Sequence, residues 1–234
     1  MTATPTRTAP NGSPPWLRRL YLPAYSIQEA AKYSKTNARV VSSWHYAGGT
    51  LGPALPGRER KRPLSYLQLI EVAFVATFRS LGVSLQRIRK AREYAAQTLA
   101  AEFPFAEYRW QTEGSHVLLD LSEIEKDTEI GRLIVADVGG QIAWQRLVGE
   151  RFAQFDYEHG LALVWYVAGR DAPVKIDPRI AFGAPTVHGI PTWAIKGRWL
   201  AGEPATDIQK DFGLDAESVR HALAFEGISM EMAA

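Results

Sequence analysis

The sequence predicts an α+β protein, mainly helical, with a helix-turn-helix-like unit near each end and a β-rich segment between them. Three observations carry that reading. Apolar residues recur at helical spacing behind capping residues across 26–99 and again across 195–225. Branched and aromatic residues cluster instead in VLLDL (117–121), GRLIVADV (131–138) and LALVWYV (161–167). Charge is divided along the chain: residues 1–100 hold 15 Lys/Arg against 4 Asp/Glu, and residues 101–234 hold 12 against 21. The first part therefore carries +11 and the second −9, within an overall +2. A cationic block followed by an anionic one suggests one region facing phosphates and another with a different task.

The 234 residues are 46% hydrophobic and 22% charged, enough to bury a core. There is no cysteine, which excludes a disulfide scaffold, a thiolate zinc site and a cysteine nucleophile. No apolar run approaches the ~20 residues that span a bilayer. MTATPTRTAPNGSPP has no apolar core of a secretory signal, so a cytoplasmic protein with no membrane partner is expected.

Residues 1–22 read as a disordered leader, the first fifteen being rich in Thr, Pro, Ser and Gly. Ser26 and Glu29 form a capping box, followed by Ile27, Ala30, Ala31 and Tyr33 on one helical face. Asn37 can cap a second helix carrying Val40, Val41 and Trp44, ended by Gly48–Gly49. Residues 47–63 hold Gly, Pro and four bases within five residues, which suits a loop or hairpin. Ser65 caps a third helix with Leu67, Ile70, Val72, Ala73, Val75 and Phe78 as its stripe. Ser84 caps a fourth, with Leu85, Ile88, Ala91, Ala95 and Leu99 inside and Arg87, Arg89, Lys90 and Arg92 outside.

Residues 101–175 form the β-rich segment, with a turn at Tyr157–Gly160 and an amphipathic helix within 141–155. From Ile176 the chain becomes helical again. Ile195 to Leu200 form one helix, Thr206 opens another, Gly213 stops it, and Asp215 caps the last, which holds Val219, Leu223 and Phe225.

In a DNA-reading helix-turn-helix the second helix enters the major groove. The candidate DNA-contacting residues there are Lys35, Thr36, Asn37, Arg39, Ser42, Ser43 and His45, with Arg39 able to fork onto guanine. Arg58, Arg60, Lys61 and Arg62 follow where clustered bases can neutralise phosphates.

Tyr25, Ser26, Ile27, Glu29, Ala30, Ala31, Asn37 and Trp44, with LSYLQLIEVAFVATFRSLGVSLQRIRKA at 64–91, resemble the MerR/excisionase type of winged helix over residues 23–95. The resemblance implies a winged-helix DNA-binding domain over 23–100. Ser42 and Ser43 stand where many relatives carry arginines, which implies that backbone contacts outweigh base contacts.

Asp177, Pro178, Ile180, Gly183, Pro185, Gly189, Ile190, Pro191, Ala194, Leu200, Gly202, Ile208, Phe212, Val219 and Leu223 carry a second likeness. Residues 176–225 resemble the small C-terminal domain of VapB-type antitoxins and of proteins paired with PIN-like toxins. Carried over to a domain at 176–234, this implies a type II antitoxin that neutralises a PIN-like ribonuclease toxin. It would also repress its own operon through operator DNA, as a homodimer and without a cofactor.

Arg179, Trp193, Lys196, Arg198, Trp199 and Arg220 are the candidate toxin-facing residues, since a base reaching an anionic nuclease site would block it. Asp215, Glu217 and Glu226 make the last helix acidic, which suits a protein partner better than DNA.

Two other readings stand beside this one. The chain could be a ligand-responsive MerR-like regulator without a toxin, in which Trp110, Trp144 and Trp165 line an effector pocket within 101–175. It could also be an excisionase-like recombination factor. Catalysis has little support: among His45, His116, His159, His188 and His221 no two are spaced i, i+4, and no phosphate loop is present. Asp120, Glu123, Glu125 and Asp127 read as a solvated face, so no metal is expected.

Overall fold

The computed structural model describes residues 14–46, 53–56, 61–107 and 149–229. The chain divides into two compact units, one of residues 1–153 and 157–162, the other of residues 154–156 and 163–234.

The first unit is helical. α1 (Pro15–Arg19) begins on a proline, whose missing N–H is harmless in a first turn, and leads to fully buried Leu20. This corrects the reading of a leader over residues 15–19, where Pro-rich composition masked a helix start; residues 1–13 of that expected leader lie outside the described residues. α2 (Ile27–Tyr33) opens on the expected capping box: Glu29 N–H donates to Ser26 Oγ at 3.1 Å and Ser26 N–H to Glu29 Oε2 at 2.8 Å. α3 (Ala38–Tyr46) follows after a short turn.

α4 (Tyr66–Ser80) is buried over most of its length, its first turn closed by Ser65 and Gln68. α5 (Leu85–Thr98) starts from the Ser84 cap. Phe74, Phe78, Phe105 and Phe152 meet around α4 with ring centroids 5.0–6.3 Å apart. Each such ring contributes about 1.5–3 kcal/mol through burial alone.

One carboxylate lies inside this apolar cluster. Glu71 on α4 is 1% exposed, accepts from Arg92 Nε at 2.5 Å and from the Phe105 N–H at 2.8 Å. Arg92 also donates to the Glu102 carbonyl at 2.6 Å. Burial pushes the Glu71 carboxyl up, and it outweighs the downward pull of Arg92 and the backbone donors. The pair corrects the expectation that Arg92 lies on the outer face of α5. It also ties residues 102–106, including the 3₁₀ turn Pro104–Ala106, to α4, so the chain beyond residue 100 continues the first unit.

Among the described residues the sheet has five strands in the order β1-β2-β3-β4-β5: β1 (Phe155–Glu158), β2 (Leu161–Trp165), β3 (Val174–Ile176), β4 (Pro185–Val187) and β5 (Ile190–Pro191). Trp165 pairs Ile176, Val174 pairs Val187, and Val187 pairs Ile190, all antiparallel. The division between the units crosses the β1–β2 hairpin.

Both two-residue hairpins use His-Gly. His159 and Gly160 have φ of 51° and 79°, and His188 and Gly189 have 49° and 86°. Positive φ at both central positions is what a type I′ turn needs, and its twist matches that of the strands. The expected turn at 157–160 therefore forms. VLLDL and GRLIVADV, the acidic stretch at 120–127, and most of the helix expected in 141–155 lie outside the described residues, although residues 149–152 are helical.

The second unit ends in three helices: α6 (Thr192–Leu200), α7 (Ala205–Phe212) and α8 (Ala216–Phe225). Ile195, Ile208, Val219, Ala222 and Leu223 are fully buried, as are Val174, Ile176 and Val187 of the sheet. Gly213 stops α7 with φ 65° and ψ 33°, and Asp215 caps α8 by accepting from Ser218 N–H at 2.7 Å. Trp165 is fully buried and stacks on Phe155 at 5.6 Å, a core position and not a pocket wall. Among the described residues no helix is long and apolar enough to cross a membrane.

Candidate nucleic-acid interface

The geometry of α2 and α3 follows from the turn between them. α2 is closed by Ser34, and Lys35 then takes φ 53°. A left-handed L-residue costs about 1–2 kcal/mol. Hydrogen bonds from Lys35 N–H to Lys32 O at 3.1 Å and from Thr36 N–H to Ala31 O at 2.9 Å hold it there. Asn37 Oδ1 then accepts from Arg39 N–H at 2.8 Å and starts α3.

Val41 and Trp44 face inward, at 0% and 1% exposure. A short stretch behind them completes the seat. Leu55 N–H donates to Trp44 O at 3.0 Å, Ala54 and Leu55 are buried, and Arg89 Nε of α5 holds Pro53 O at 3.1 Å. Arg89 is therefore used in part to hold the chain in place.

Among the sequence-selected residues, Lys35, Asn37, Arg39 and Ser43 are exposed, while Thr36 and Ser42 are half-buried. Among the described residues, neither Lys35 nor Arg39 has an acidic partner. His45 is a correction. It is 2% exposed, with Nδ1 2.9 Å from Pro56 O, so it props the 53–56 stretch and faces away from any groove-entering surface. Val40, carried on the same helix, is 41% exposed. Lys61 is exposed, with φ 68°, and Arg62 is half-buried; Arg58 and Arg60 lie outside the described residues.

The segment carrying these residues is closed at its base. Tyr25 and Leu64 form an antiparallel bridge, with Tyr25 N–H donating to Leu64 O at 3.0 Å and Leu64 N–H to Tyr25 O at 2.7 Å.

The six candidates in the second unit are differently placed. Arg179 grips Asp177 with Nε and Nη2 at 2.9 and 2.8 Å. Arg198 donates to Glu203 and Asp211, both at 2.7 Å, and lies over the Phe212 ring. Hydrogen bonds to Glu203, then Asp211, hold its guanidinium above the ordinary range. Lys196 stands 3.8 Å from Glu226, and Arg220 3.3 Å from Glu217. Trp193 is 63% exposed and Trp199 half-buried. Sequence reasoning did not single out Leu200 or Phe182 as exposed, yet they are 67% and 86% exposed. The apolar spacing of Trp193 and Leu200 on α6 was the available signal.

Residues 174–225, from the first residue of β3 to the last of α8, match a family model described as "Protein of unknown function (DUF433)". The chain is also similar to the X-ray crystal structure of Rv2018 from Mycobacterium tuberculosis. That likeness has a TM-score of 0.69 and 24% identity, and covers 88% of this chain and 99% of that one. At this identity it speaks for the fold alone. No curated protein matches.

Proposed function

We propose that this chain is a DNA-binding antitoxin. In this reading α2, α3 and the basic segment 57–62 form a winged helix-turn-helix that binds operator DNA as a homodimer. The second unit binds and neutralises a PIN-like ribonuclease toxin, and operator binding represses the shared operon.

The observation that carries the reading is the contrast in charge use. Lys35 and Arg39 project from α3 and its turn without acidic partners among the described residues, on a helix whose other face is fixed by Val41 and Trp44. Such bases remain available to phosphates and base edges. In the second unit Arg179, Lys196, Arg198 and Arg220 are matched by neighbouring carboxylates, while Trp193 and Leu200 stay exposed. A surface whose bases are already neutralised offers little to polyphosphate and suits a polypeptide.

Co-expression of the full chain with the product of the adjacent gene tests the toxin half. Growth rescue together with a co-purifying complex is expected, and absence of both overturns it. Binding to duplex DNA at low salt tests the other half independently.

A further inference from the structure

Resting on the DNA-binding reading above, we infer that Val40 is a specificity residue that contacts a thymine 5-methyl group in the half-site read by Arg39.

α3 exposes Arg39, Val40 and Ser43, with Val40 at the edge of its apolar face, one residue before buried Val41 and four before buried Trp44. Val40 is 41% exposed. It gives up helix propensity relative to alanine, and part of its side chain is left open to solvent. Its methyl groups are, however, the chemistry that recognises the C5-methyl of thymine in the major groove.

The neighbouring polar groups narrow the choice. Ser43 Oγ donates its proton to Val40 O at 2.7 Å, so its hydroxyl keeps only acceptor capacity toward a base. Asn37 Oδ1 is engaged by the Arg39 amide. Arg39 is left as the strong side-chain donor, suited to guanine O6 and N7. Arg39 and Val40 are both exposed on α3, so the half-site contains a guanine and a thymine.

Full-length protein selected against a random duplex library would give the half-site, after which each thymine is replaced in turn by deoxyuridine. Wild type should lose roughly fourfold in affinity at one thymine of the selected half-site, the weight of one methyl group taken out of water. Val40→Ala, which favours the helix at an exposed position, should bind that site but show less than about twofold discrimination between thymine and uracil. Arg39→Ala should relax the guanine instead. Equal uracil penalties for wild type and Val40→Ala overturn the inference, as does binding without sequence preference. Failure to bind any duplex at low salt overturns the DNA-binding reading itself, and is distinguishable from both.

Discussion

In the first unit Lys35 and Arg39 stand on a strained turn and an exposed helix face, with no carboxylate of the described residues paired to them. In the second, Arg179, Lys196, Arg198 and Arg220 each lie against an acid. Both regions contain short capped helices joined by a tight turn, and secondary structure alone does not separate them. The difference lies in whether a cation already has a partner. A base held by two carboxylates must give them up before it can serve a phosphate, so it adds little to nucleic-acid affinity.

The largest effect that can sharpen this contrast is at Glu71, the acid placed inside the first unit's core. Glu71→Ala leaves Arg92 buried without its counter-charge and is expected to cost about 3–5 kcal/mol in urea unfolding. Its pH dependence has a definite sign. Because burial raises the folded-state pKa, the native protein binds the proton more tightly than the unfolded chain. Stability from this group should fall as pH rises from the ordinary glutamate range through the raised value, and Glu71→Gln should flatten that part of the profile.

Next is the basic segment. Replacing Arg58, Arg60, Lys61 and Arg62 together by alanine should weaken binding to all duplexes. It should also reduce the salt slope by roughly 3–4, since each phosphate neutralised by a base accounts for about 0.9. An unchanged slope would remove this segment from the interface.

A smaller effect is expected at Gly213. No atom lies within 4 Å of an added Cβ, so Gly213→Ala tests backbone conformation alone and should cost about 1 kcal/mol in thermal unfolding. The smallest expected effect breaks the comparison if it fails. Arg198→Ala and Arg220→Ala should leave the salt slope of DNA binding unchanged, and a reduced slope would place the second unit on DNA.

Local signals made much of the fold legible in the sequence. Ser26 with Glu29, Asn37, Ser84, Gly213 and Asp215 all act on backbone groups within a few residues, and each holds the cap or stop that its residue type implies. The phase of α3 was harder. Val40 and His45 both border its apolar face, and what decides between them is the 53–56 stretch, whose anchoring on Trp44, His45 and Arg89 links residues far apart in sequence. Glu71 was missed for the same reason: its partners are 21 and 34 residues away. Among the paired bases, Arg179–Asp177 and Arg220–Glu217 lie within three residues, whereas Lys196–Glu226 could be found only in three dimensions.

The Tyr25–Leu64 bridge has an engineering consequence. By joining residues 25 and 64, it brings the two ends of the intervening stretch together at one point. Doubling the length of a flexible excursion costs only about 0.6 kcal/mol in closure entropy. A designer could thus lengthen that stretch at small cost, provided that the packing of α2 on α4 and the hold of Arg89 on Pro53 are kept.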